Sequence, residues 1–488
     1  KWGNNEASQG SVNMSLVDKQ LNYAQLNNPL AIVPGSSPST TWNKVPMDAR
    51  MHNLIWGSGA TGGNQQPGWV NSLISSAAGG NATAKTNLYN AIVNRINYYV
   101  GTNGNRSQKY SEIDVLNEAL NNPSYWNIFN PTTSAPGSVT VATIYKNVLD
   151  ALAATGSNAR TYLNEYNVLQ FSPSTISSSG VESGSDAYAN WYRNEVEAVN
   201  NRGHTDFGEN VVTGIGMQMY ASTTTLPSPA TMEKALQNLS VEGLPLTMAE
   251  FGLASGTTKA QSQAQGPGIL DNALRMIYGT PNATTFMIWG WWDVTGSSSG
   301  YPVAAMLDNT SGTGNNTVVT PIGLKWEQLM ALWSTHTTVT PDADGNLSFT
   351  GYYGTYNLSV GNTVYAVVDH EKGAAPVLWV KGDYNMNGEL DNADLQAMLQ
   401  ALKSLSTFQT SMASTEFHAL FDVNDDGVVN AADVSAIESL LASGIQAGNG
   451  IFGGGGSLSS VPEPARAVFA AICFGLRWCA VGHRRRSV

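Results

Sequence analysis

Cysteine is nearly missing from this chain. Its 488 residues include two, Cys473 and Cys479, both in the tail. The rest of the chain therefore holds no disulfide and no thiolate metal centre. Charge is sparse too. Charged residues make up 12% of the sequence, the net charge is −12, and no basic patch precedes the extreme C-terminus. That balance excludes a nucleic-acid partner. No signal peptide opens the chain, and no Gly-rich phosphate loop follows any apolar run, which argues against a nucleotide site.

What is present is an alternation of short apolar runs and helical periodicities over residues 1–336. The runs are Met51–Trp56, Ile113–Leu116, Thr161–Leu163, Val211–Met217, Leu246–Met248 and Thr285–Trp289. Leu88, Ile92, Ile96 and Tyr99 share a helical face, as do Ile144, Val148 and Leu152. Ser228-Pro229 caps a helix, Trp191–Val199 is helical with Gly203 stopping it soon after, and Trp326–Trp333 marks the last helix. Strands alternating with helices predict a parallel sheet, and this many repeats fit a (β/α)8 TIM barrel. The runs end in polar and aromatic groups: His52 and Trp56, Asn117-Glu118, Asn164 to Asn167, Gln218 and Tyr220, Glu250, then Trp289, Trp291 and Trp292. Two carboxylates at the carboxyl ends of core strands, among tryptophans that stack on sugar rings, are what cleavage of a glycosidic bond requires.

The motifs HNLIWG, DVLNEAL, LNEYN, GIGMQMY, TMAEFGL and IWGWWD, with the opening KWGNNEASQG, resemble xylanases of glycoside hydrolase family 10 over about residues 1–335. The resemblance implies a retaining endo-β-1,4-xylanase acting on xylan or a related β-1,4-glycan, with no catalytic cofactor. Glu118 would be the acid/base and Glu250 the nucleophile. Asn117 would hold the sugar 2-hydroxyl, and Lys1, His52, Trp56, Gln218 and Trp289 would line the same subsite, with Tyr220 a further substrate contact. Four positions depart from the family. Gly57 stands where a second His is usual, Met219-Tyr220 replaces Gly-His, and Gly252 replaces an Asp. A catalytically weak carbohydrate-binding protein and a retaining glycosidase for another β-1,4-glycan are the alternatives. Placing Lys1-Trp2 at the end of the second barrel strand implies an N-terminally truncated chain, lacking the first strand and most of the second.

Residues 337–381 alternate as a small antiparallel β domain, with Tyr352, Tyr353 and Tyr356 as either sugar contacts or core. Residues 382–443 hold a repeated loop. Asp383, Asn385, Asn387, Glu389, Asp391 and Asp394 recur as Asp422, Asn424, Asp426, Val428, Asn430 and Asp433, with Gly388 and Gly427 at the sharp turn. Oxygen donors at alternating positions, with a backbone carbonyl from Glu389 and Val428, fit Ca2+. A helical pattern follows each loop, and no full helix enters it, which resembles the duplicated type I dockerin. That family implies docking onto a cohesin, although loop positions 10 and 11 are Asn392-Ala393 and Ala431-Ala432. A stabilising calcium module is the alternative. Residues 444–460 read as a flexible Gly/Ser linker. Residues 461–488 (Val461-Pro462-Glu463-Pro464, an apolar stretch, then Arg484-Arg485-Arg486) resemble a PEP-CTERM sorting tail. It implies a secreted or cell-surface bacterial protein in transient membrane contact.

Overall fold

The computed structural model describes residues 2–24, 48–57, 65–101, 106–169, 187–221, 228–240, 242–253, 258–293, 305–309, 317–340, 349–360, 363–370, 372, 377–387, 390–409 and 414–442. Lys1, Gly388, Glu389, the linker and the tail lie outside them. The chain divides into two units, one up to Leu329 and one from Met330. Among the described residues no helix is long and apolar enough to cross a membrane.

The first unit is built on an all-parallel sheet. Its strands are β1 (Arg50–Met51), β2 (Ile55–Trp56), β3 (Glu112–Asn117), β4 (Arg160–Tyr166), β5 (Gly214–Ala221), β6 (Leu246–Leu253) and β7 (Ala283–Ile288). The order is β1-β3-β4-β5-β6-β7, with β2 also pairing β3. Helices cross between successive strands, so this is the parallel (β/α) arrangement of a TIM barrel, with six consecutive positions described. The apolar runs became strands because both sheet faces are covered. Every residue of β3 and of β6 is buried. Where the second barrel strand was expected to end, the structure has a four-residue helix, Trp2–Asn5.

Several elements differ from the pattern read in the sequence, each for a physical reason. The Val211–Met217 run starts as a strand only at Gly214, because Asn200 Oδ1 takes the Val211 and Val212 amides at 3.0 and 2.8 Å. Gly203 does not end its helix. That helix runs Ala187–Phe207 and stops at Gly208, whose φ is +80°, in the left-handed region. A Cβ on Gly203 would sit 2.7 Å from the Glu209 carbonyl, so glycine here allows close packing of the chain's return. The helix Lys259–Gly279, absent from the pattern read in the sequence, runs through Pro267. Its preceding residue Gly266 leaves space for Ile322, whose Cδ1 would lie 2.5 Å from an added Cβ.

In the second unit, Gly354–Val360, Thr363–His370 and Val377–Val380 form an antiparallel sheet. The two loops follow. Helices Asn392–Lys403 and Ala432–Ala442 leave them, and an eight-residue helix, Ser414–Phe421, enters the second. Met386 and Asp425, both at loop position 4, share positive φ values of 60° and 58°. Val367 of the middle strand belongs to the same apolar core as Tyr384, Met398, Phe417, Phe421 and Ile437.

Candidate active site

The floor of the site is a polar layer inside the sheet. Arg50 pairs with Glu112 and Asp114, and its guanidinium lies 4.4 Å from the centre of the Tyr162 ring. Glu112 Oε1 accepts from Tyr162, Thr247 and Thr285 at 3.0, 3.1 and 3.3 Å. Two glycines of β5 make this possible. A Cβ on Gly214 would fall 2.3 Å from the Tyr162 ring, and one on Gly216 would meet Asn164 and Arg50 at 2.6 and 2.8 Å. The G-x-G spacing on one strand face was the sequence signal for this layer.

Above it, register brings the strand ends together. Trp56 pairs with Asn117, Asn117 with Asn164, Tyr166 with Gln218, and Gln218 with Glu250. Their side chains form one network. Gln218 Nε2 donates to Glu118 Oε1 at 3.2 Å and to Asn117 Oδ1 at 3.3 Å. Asn164 Nδ2 donates to Asn117 Oδ1 at 2.8 Å and reaches Glu250 Oε1 at 3.4 Å. Asn117 Nδ2 and Asn164 Oδ1 are buried without a protein partner.

Glu118 follows the last residue of β3 with φ +58°, and its amide donates to the Asn164 carbonyl at 2.7 Å. A non-glycine residue in that region is strained, and such strain gathers at working sites. Trp56 Nε1 and Asn122 Nδ2 donate to Glu118 Oε2 at 2.6 and 2.9 Å. Burial first, and the charge of Glu250 second, push the Glu118 carboxyl up to about 7 against these donors. Like-charge repulsion is therefore the smaller of the two causes. Asn122 was not singled out in the sequence. Its backbone fills the space beside Gly57, where an added Cβ would lie 2.1 Å from the Asn122 carbonyl oxygen. The absent side chain at position 57 thus lets a different donor reach Glu118.

Glu250 sits within β6, 5% exposed. His52 Nε2 lies 3.3 Å from its Oε1, and the Tyr220 hydroxyl donates to its Oε2. Burial raises Glu250, while His52 and Tyr220 oppose that rise. Burial likewise works against a charged His52, yet Glu250 and Asp114 raise its pKa overall, so an imidazolium is favoured. Asp114, 3.0 Å from His52 Nδ1, is held below the usual carboxylate range by Arg50 and His52 despite its burial. The two glutamates thus differ in surroundings. Glu250 contacts His52 directly, and Glu118 is bonded by the neutral donors of Gln218, Trp56 and Asn122. Trp289 stands 5.7 Å from His52, ring centre to ring centre, and is 37% exposed. Trp291 is 52% exposed. Glu165 is fully buried, pushed up to about 8 by burial, and accepts from Leu120 N, Asn121 Nδ2 and Tyr166 N. It pins the turn that carries Glu118.

In the second calcium-type loop, Asp422 accepts the Asp426 and Gly427 amides at 3.0 and 2.6 Å, and Asp433 the Val423, Asn424 and Asn430 amides at 2.7, 3.1 and 2.9 Å. In the first, Asp383 accepts from Asn387 N, and Asp394 from Asn385 N and Asp391 N. Asp394 and Asp433 are fully buried. Among the described residues no three acidic, His or Cys side chains gather into a metal cluster. The donor set fits a hard cation nonetheless, because each loop also offers Asn and carbonyl oxygens.

A parallel barrel sheet carrying two buried glutamates at its carboxyl-end network is the frame of a glycoside hydrolase. Residues 40–310 match Glycosyl hydrolase family 10, and the chain belongs to that family. Residues 381–442 match the Dockerin type I domain. A curated relative, the anti-sigma-I factor RsgI6 of Acetivibrio thermocellus, is 22% identical over 361 residues, 74% of this chain and 36% of that protein. The chain thus spans about a third of the length of that relative. Similar solved structures include the GH10 xylanase from Bispora sp. MEY-1 with xylobiose, at 17% identity, covering 67% of this chain and 84% of that one, with a TM-score of 0.46. Xylanase 10B from Thermotoga petrophila RKU-1 with xylobiose is 19% identical, covering 67% and 82%, with a TM-score of 0.44.

Proposed function

We propose that the barrel is a retaining endo-β-1,4-xylanase. The observation that carries this is the single network joining Glu118 to Glu250 while giving them unlike electrostatic settings. Protonated Glu118 gives its proton to the leaving glycosidic oxygen as a Glu250 oxygen bonds the anomeric carbon and the old C–O bond breaks. Water then attacks that carbon, its proton passes to Glu118, and Glu250 leaves as a carboxylate. His52, 3.3 Å from Glu250 Oε1, opposes the rise that burial imposes and favours the carboxylate that attacks. The unpaired Asn117 amide donor takes the sugar 2-hydroxyl, and Trp56, Trp289 and Gln218 line the subsite. Reducing-sugar release from xylan, cellulose and mannan, with NMR of the fresh anomer, tests this. Release from xylan with the β-anomer formed first is expected, and an inverted product overturns it. Glu250→Ala should lower kcat on xylan by several orders of magnitude.

For the second unit we propose two calcium sites, at Asp383, Asn385, Asn387, Glu389, Asp391 and Asp394, and at Asp422, Asn424, Asp426, Val428, Asn430 and Asp433. Bound calcium would neutralise these carboxylates and fix the loops that lead into their helices. The module would then dock a secreted or surface-held enzyme onto a cohesin. Residues 461–488 would act as a sorting tail, and mass spectrometry of exported protein would show whether it is removed.

A further inference from the structure

Glu250 offers its two oxygens to different partners. Oε1 faces His52 and Asn164, and Oε2 accepts the Tyr220 hydroxyl. Tyr220 pairs with Gly252 in the β5–β6 register, two residues beyond the Gln218–Glu250 pair. Both pairs therefore face the same side of the sheet. A Cβ on Gly252 would stand 3.1 Å from both Cδ1 and Cε1 of Tyr220. Any side chain at position 252 would press on the ring that carries the hydroxyl. The phenol reaches the carboxylate because its neighbour is a glycine.

We infer that Tyr220, given room by Gly252, is a positioning residue that favours breakdown of the glycosyl-enzyme over its formation. This rests on the retaining reading above. A hydroxyl bonds a carboxylate more strongly than it bonds an ester oxygen. When a Glu250 oxygen bonds the anomeric carbon and the leaving oxygen takes the Glu118 proton, the charge facing Tyr220 disappears and its hydrogen bond weakens. When water bonds that carbon and gives its proton to Glu118, the electron pair of the ester C–O bond returns to Glu250. The charge then reappears against the phenol. The hydroxyl resists the first step and assists the second.

The test is pre-steady-state kinetics of the full chain on an aryl β-xylobioside with a good leaving group, which makes the second step limiting. Tyr220→Phe should show a burst of aryl alcohol equal to the enzyme concentration. Its kcat should fall about 10- to 100-fold, the range for losing a hydrogen bond to a charged group. KM should fall by a similar factor, leaving kcat/KM within about threefold, and intact-mass spectra should show the xylobiosyl adduct. Gly252→Ala should change kcat and KM in the same direction by less, and add little in the Tyr220→Phe background because the two act as one unit. Equal losses in kcat and kcat/KM without a burst, or a raised KM, would overturn the proposal. If the unmodified protein gives an inverted product or no trapped intermediate, the retaining reading fails first, and this inference with it.

Discussion

At the scale of single residues, the useful contrast is between Glu118 and Glu250. Both are buried, but one is neighboured by amides and an indole and the other by an imidazole whose charged form is favoured. With Glu118 pushed up to about 7, the acid form is present below that value and lost above it. Hydrolysis of xylan should therefore decline as pH rises through about 7. The decline should be absent from the first step on an activated aryl xylobioside, which needs no protonation. Trp56→Phe removes a donor that favours the ionised carboxyl, so the limb in kcat/KM should move to higher pH. A move to lower pH would contradict the assigned contact. Glu118→Gln should slow turnover of poor leaving groups by roughly 10²–10⁴-fold and spare activated ones in the first step. Both glutamates were legible in the sequence because each ends or interrupts an apolar run. Asp114, Arg50, Asn122 and Asn164 were not assigned. Asp114 lies inside a strand that reads as core, and its partner Arg50 is 64 residues away in sequence. Only the closed polar layer shows why such charges are tolerated.

At the scale of elements, most strands and helices followed from apolar periodicity, and the misplaced helix end at Gly203 has a steric cause. A glycine reads as a break in a linear pattern, whereas in the folded chain Gly203 marks close approach. Gly203 lies inside a 21-residue helix, and Pro267 inside another. Gly203→Val should lower stability by roughly 1–3 kcal/mol by overpacking against the Glu209–Val211 return. Were steric room irrelevant there, replacing a helical glycine would instead gain up to about 1 kcal/mol, as for Ala in an open helix. Denaturant unfolding separates the two outcomes. Gly57 carries the same lesson at the site. The sequence shows a missing side chain, and the fold shows which backbone has moved into its volume.

At the scale of the whole molecule, the chain divides into two units, and the loops of the second supply its most direct test. Asp433 is fully buried and receives three loop amides. Far-UV circular dichroism should lose helical signal in EDTA and regain it with calcium, and Asp433→Ala should weaken that response at least about tenfold in calcium concentration. A spectrum indifferent to chelation would refute coupled folding. The loop spacing was plain in the sequence, but the mutual packing of sheet and helices was not, because apolar alternation does not say which face meets which neighbour. Val367 has its side chain among Tyr384, Met398 and Phe421. Whoever transplants the dockerin module onto another enzyme should therefore cut upstream of Thr363, since a graft begun at Lys381 would leave behind a piece of its own interior and carry an oily scar into solvent.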